Sequence, residues 1–199
     1  MLVPNIFGFP AYYIDSRRQA MDNKAKSSTA REVFSWIKTI ALALAIALVI
    51  RTFVFEPMKV PTGSMISTID IGDVIFVNKF IYRFTPVKRG DIVAFWYPDS
   101  PNIRYVKRVI GVGGDVVEIK GGKLYLNGGE QTEPYIREPM LNQNFGPYKV
   151  PPGEYFMMGD NRNDSKDSRY WNNKYVTRDK IIGKMAFRFW PLSRIGAVK

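Results

Sequence analysis

Between Thr39 and Ile50 the chain reads TIALALAIALVI, twelve residues without a charge, and with the flanks VFSWIK and RTFVF the apolar character extends from about Val33 to Phe55. A bilayer core of about 30 Å takes roughly 20 helical residues. The central run alone is short for that, and runs of its length also build buried core helices and the cores of signal peptides. The extended segment is long enough to span. Lys38 and Arg51 stand near its two ends, where long basic side chains reach the headgroups. No small-x-small cleavage site follows, because the next residues are the bulky RTFVFEPMKV, so the segment is expected to stay attached. Arg17, Arg18, Lys24, Lys26, Arg31 and Lys38 precede it, and this basic bias predicts a cytoplasmic N-terminus with the rest of the chain on the outer face.

Residues 1–32 read as a basic cytoplasmic tail. The opening MLVPNIFGFP is broken by Pro4, Gly8 and Pro10, which makes it a poor helix and a poor signal sequence. Ser16 to Ala30 is polar and without a period, as in a mobile segment. Met21 offers a second translation start. Residues 33–55 form the expected transmembrane helix, and 56–199 a β-rich domain.

After Pro57 short apolar runs alternate with turn residues, the pattern of a mainly β fold. Strands are expected near 73–81, 91–97, 104–110, 115–120, 123–126, 154–158 and 183–189. Gly121-Gly122 and Asn127-Gly128-Gly129 suit tight hairpins, because their residues tolerate positive φ.

The 199 residues include neither cysteine nor histidine. That excludes Ser/His/Asp and Cys/His catalysis, Cys/His zinc sites and dithiol redox chemistry. The formal net charge of +11 fits an anionic membrane surface, nucleic acid or a basic exterior, and speaks to partners rather than fold. Four stretches carry candidate chemistry: VPTGSM at 60–65, RGDIVAF at 89–95, YVKRVIGVGGD at 105–115 and GDNRNDSKDSR at 159–169. Two of them supply a serine and a lysine. A serine nucleophile needs a base for its proton, and where no histidine exists a neutral lysine serves. Ser64 follows Gly63 in a Pro-x-Gly-Ser turn, a pattern that ordinary turn serines share. Lys107 lies between Val106 and Val109, where strand alternation alone would equally turn it outward. A lysine base working near pH 7 or 8 needs its pKa lowered by roughly three units, about 4 kcal/mol, which burial can supply. Lys107 is therefore expected to be buried. The acidic residues of the last stretch do not fit a calcium loop, since Arg162 and Ser165 occupy its third and sixth positions.

In this order, behind a hydrophobic anchor, the four stretches resemble the motif boxes of bacterial type I signal peptidases, over roughly Val33 to Pro191. The resemblance implies a single transmembrane helix followed by a compact, mainly β catalytic domain. It implies a serine endopeptidase of the cell membrane that removes signal peptides from exported preproteins after an AxA-type site, with no metal and no cofactor. Ser64 would be the nucleophile and Lys107 the general base. Thr62 falls where the family places a hydroxyl that assists the Ser64 N–H in holding the oxyanion, and Ser165 where it places a serine that orients the lysine. Asp160, Asp167, Arg169 and Arg108 match residues that support the site through ion pairs. Small apolar pockets are expected around Phe55, Met58, Val60, Met65 and the strand 73–78. The partners so implied are preproteins and the lipid bilayer, not nucleic acid; Phe53, Phe55, Phe80, Tyr82 and Phe84 are either interfacial aromatics or core. Two rivals differ in class: self-cleaving repressors, which carry a DNA-binding domain in place of an anchor, and a membrane-tethered binding domain indifferent to Ser64→Ala.

Overall fold

The computed structural model describes residues 11–198, with side chains from Arg31 onward apart from Phe53. The chain divides into two units, one ending at Val49 and one from Ile50 onward. A helix, α1, spans Ala11–Phe53, with all but its last four residues, 50–53, in the first unit. No Gly or Pro interrupts the sequence from Ala11 to Glu56, so nothing breaks the backbone ladder. Residues 11–30, expected as a mobile tail, are part of this helix. An apolar period is missing there because a helix needs one only where a face packs. Arg31–Thr52 is long and apolar enough to cross a membrane, with mean hydropathy 2.3 and none of it buried within the protein. Trp36, Leu42, Leu44 and Leu48 are all exposed, the all-round apolar surface that suits lipid.

The helix stops short of the expected Phe55. Val54 C=O instead accepts from Lys79 N–H at 2.9 Å, and Phe55 opens a strand. Pro57 lacks the N–H that a helix would need there, and an edge strand tolerates it.

Among the described residues twelve strands follow: β1 Phe55–Lys59, β2 Val74–Asn78, β3 Ile92–Trp96, β4 Arg104–Val112, β5 Val116–Lys120, β6 Lys123–Leu126, β7 Gly129–Glu130, β8 Phe145–Lys149, β9 Glu154–Met158, β10 Tyr175–Thr177, β11 Ile181–Trp190 and β12 Gly196–Ala197. An eight-stranded sheet runs β1-β2-β11-β3-β4-β9-β10 with β12 on β11, and a four-stranded sheet runs β7-β6-β5-β8. All pairings are antiparallel. The hairpins β5–β6 and β6–β7 turn on Gly121-Gly122 and Asn127-Gly128, all at positive φ, as the sequence pattern predicts.

β3 is buried on both faces and reads as a continuous apolar run, IVAF. Ile92 and Ala94 join one core with Met58, Val60, Met65, Ile75 and Met185. Val93 and Phe95 join the other with Val109, Met157, Trp171 and Ile181. A third cluster, including Ile110, Phe156 and Met158, packs the small sheet through Val117, Ile119 and Leu124. The seven expected strands are all present. β1, β7, β8, β10 and β12 were not legible, being short or, like β8 (FGPYK), carrying Gly and Pro.

Candidate active site

Ser64 lies in the loop between β1 and β2. The base of that loop is closed by Val60 N–H to Asp73 C=O and Gly72 N–H to Val60 C=O, both 2.9 Å. Its tip is held from the segment after β9: Asn161 N–H donates to Ser64 C=O and Asn161 Nδ2 to Gly63 C=O, each at 3.1 Å. Gly159 makes the approach possible, since a Cβ there would stand 2.4 Å from Ser64 O and 2.3 Å from Ser165 Oγ.

Lys107 sits mid-strand on β4, opposite Val93 on β3, and is only 4% exposed. Burial lowers its pKa from the ordinary 10.5 to about 8; Arg169 pushes the same way, while Asp167, Asp160 and Asp164 oppose the shift. Arg108, the next residue on the strand, turns to the other face and meets Asp160. Ser64 and Lys107 line one cavity of about 590 Å³.

The other site candidates surround this pair. Thr62 is exposed and lines the cavity. Ser165 Oγ is buried against Gly159 and has no hydrogen-bond partner, so the expected bond from Ser165 to Lys107 is not formed. Arg108 binds Asp160 in bidentate fashion, Nε to Oδ1 at 2.8 Å and Nη2 to Oδ2 at 2.7 Å, and Thr68 Oγ1 donates to the same carboxylate at 2.5 Å. Arg169 grips Asp167 through Nε and Nη2, both 2.8 Å, and Asp167 accepts from Gly159 N–H at 3.0 Å. Both ion pairs are fully buried and hydrogen-bonded at every turn, which makes them fix the loop 159–169 rather than solvate it.

Met58, Val60 and Met65 line the cavity, but Phe55 and the strand 73–78 do not. Phe55 lies three residues before Met58 on β1, so the pleat turns it to the opposite face, where it packs edge-on against Phe76 at 6.3 Å. The rest of the lining includes Tyr105, Val106, Asp164 and Lys166, which lie inside the two later stretches, and Asn102 to Arg104, which precede YVKRVIGVGGD without any signal of their own. Asn161 was likewise missed, although it lies inside GDNRNDSKDSR. Of the aromatics, Phe55, Phe80 and Phe84 are exposed, whereas Tyr82 is core, its hydroxyl donating to Asp91 at 2.9 Å. Phe53's side chain lies outside the described residues. No cluster of acidic residues able to hold a metal occurs among the described residues.

The family model "Signal peptidase, peptidase S26" matches residues 33–190. A signal peptidase I of Leptolyngbya laminosa is 43% identical over 167 residues, which cover 80% of this chain and 81% of the relative. Signal peptidase I T of Bacillus subtilis (strain 168) is 40% identical over 185 residues, covering 88% and 93%. A solved signal peptidase I chain from Enterococcus faecalis, 32% identical, aligns over 51% of this chain and 97% of its own with a TM-score of 0.44. With a family model over most of its length and relatives near 40% identity, the chain belongs to the signal peptidase I family of serine endopeptidases.

Proposed function

We propose that Ser64 is the nucleophile and Lys107 the general base of this membrane-anchored signal peptidase. The activity, removal of signal peptides from preproteins, and the use of a Ser/Lys dyad belong to the family. The assignment of residues rests above all on one observation: Lys107 is buried, with its pKa drawn down to about 8, in the cavity that Ser64 lines. At pH 8 about half of such amines are neutral, against well under one in a hundred for an ordinary lysine.

Neutral Lys107 Nζ takes the Ser64 hydroxyl proton as Oγ bonds to the scissile carbonyl carbon. The proton then passes to the leaving amine as the C–N bond breaks, leaving an acyl-enzyme. Water, deprotonated by the same amine, cleaves the Ser64 ester. The oxyanion is held by Ser64 N–H and the Thr62 hydroxyl, donors worth about 3 to 4 kcal/mol each in the transition state. Ser165 Oγ, buried beside Gly159 without a partner of its own, is the hydroxyl left to orient Lys107. The apolar walls Met58, Val60 and Met65 favour small residues, as an AxA-type site offers. The basic residues before α1's apolar stretch favour a cytoplasmic N-terminus, with the catalytic domain on the outer face against the bilayer and exposed Phe80 and Phe84 at the interface.

The test is cleavage of a preprotein whose signal ends in AxA by the detergent-purified chain. Wild type cuts after the second Ala; Ser64→Ala and Lys107→Ala, folded, lose nearly all activity. Equal cutting by either variant overturns the assignment.

A further inference from the structure

The segment joining β7 to β8, residues 131–144, leaves the small sheet and lies along the loop 159–169. Asn163 Oδ1 accepts from Leu141 N–H at 2.9 Å, and Arg169 Nη1 reaches Met140 Sδ at 3.4 Å. The strongest contact is Arg162 Nη1 to Glu133 Oε2 at 2.5 Å, between side chains 0% and 6% exposed. Tyr135 reinforces it. Its hydroxyl donates to Glu133 Oε1 at 2.8 Å, and its ring lies 3.9 Å from the Arg108 guanidinium and 5.7 Å from that of Arg162. Arg162 in turn donates from Nε to Gly159 C=O at 3.0 Å, and its own carbonyl accepts from Arg169 Nη2 at 2.7 Å. Gly159 is the residue wedged between Ser64 O and Ser165 Oγ.

We propose that Glu133 is a positioning residue for the peptidase reaction: it locks Arg162, which holds the Gly159 carbonyl and so keeps the loop 159–169 pressed against Ser64 and over Lys107. The small sheet is then a brace for the active site, not an appendage. A buried guanidinium that loses its carboxylate seeks another partner or water, and either moves the Gly159 peptide. A displacement of about 1 Å at reacting groups costs on the order of a hundredfold in rate. Water admitted beside Lys107 also relieves the burial that lowers its pKa.

The proposal rests on the Ser64/Lys107 reading, and the experiment separates the two. In the full detergent-purified chain, Glu133→Gln is expected to lower kcat roughly ten- to a hundredfold, with KM within about twofold. The acid limb of kcat/KM moves upward from about 8, and Glu133→Asp recovers part of both losses. A Glu133→Gln protein with a lower melting temperature but unchanged kcat and acid limb overturns the proposal, since a structural prop would do only that. If Glu133→Gln does not fold, Tyr135→Phe, which removes only the hydroxyl orienting Glu133, is read the same way, and an unchanged kcat and limb overturns it. Ser64→Ala runs alongside: activity surviving there defeats the nucleophile assignment, whereas a dead Ser64→Ala beside a fully active Glu133→Gln defeats only the brace.

Discussion

Lys107 is an unfavourable residue for the fold. Its pKa falls from 10.5 to about 8 on folding, so below pH 8 the protonated amine is carried into the interior at a cost of about 3 kcal/mol. Between the two values the unfolded chain binds the extra proton, so wild-type stability rises with pH across roughly 8 to 10.5. Lys107→Met, which removes the amine and keeps the volume, should therefore melt higher than wild type at pH 7, and the gap should shrink as pH climbs through that window. Melting curves at pH 7, 9 and 10.5 check this; a gap independent of pH contradicts the burial. Activity runs along the same titration, with kcat/KM of wild type rising through about pH 8 as the base loses its proton. Of this residue, the sequence made only the requirement legible. That Lys107 is covered depends on β3, β4 and the loop 159–169 coming together, none of which a run of Val-Lys-Arg-Val can announce.

Among the elements, the loop 159–169 carries the densest set of buried charges. Asp160 and Arg108 sit 52 positions apart in sequence yet form a bidentate pair with side chains 0% and 5% exposed. Asp160→Ala leaves the guanidinium buried without its carboxylate, which typically costs about 3 to 5 kcal/mol. The double variant Asp160→Leu with Arg108→Met should recover most of that, because paired removal abolishes the charge along with its partner. Urea unfolding of the single and double variants measures the difference, and a double variant as unstable as the single would show that the pair's worth lies elsewhere. The sequence singled out this loop as a box, and the resemblance marked Asp160, Asp167 and Arg169 in it as support, but not Arg162. Asn161, which clamps Gly63 and Ser64, was indistinguishable there from any turn asparagine. Phe55 was misjudged for a simpler reason: the entry into β1 sets which face it takes, and that was unreadable where helix gives way to strand.

At the level of the whole molecule, the anchor and the catalytic domain answer to different solvents. Arg31–Thr52 is apolar all round and charge-free at its centre, so the chain should resist alkaline carbonate extraction from membranes. Placing charges by Ala43→Lys and Ala45→Lys costs about 2.5 to 3.5 kcal/mol each at a helix centre, and should shift the protein to the soluble fraction. Retention of the double variant would mean that α1 is not what holds the chain to the bilayer. Length of apolar run, strand alternation and the Asn127-Gly128 hairpin were all determined by the sequence alone, because each depends on residues a few positions apart. What covers Lys107, which walls face Ser64 and what Glu133 touches were decided only by the tertiary structure. Desolvation and ion pairing are set by whatever distant segments are folded against a residue, and the order of strands β1-β2-β11-β3-β4-β9 brings those segments together from across the whole domain.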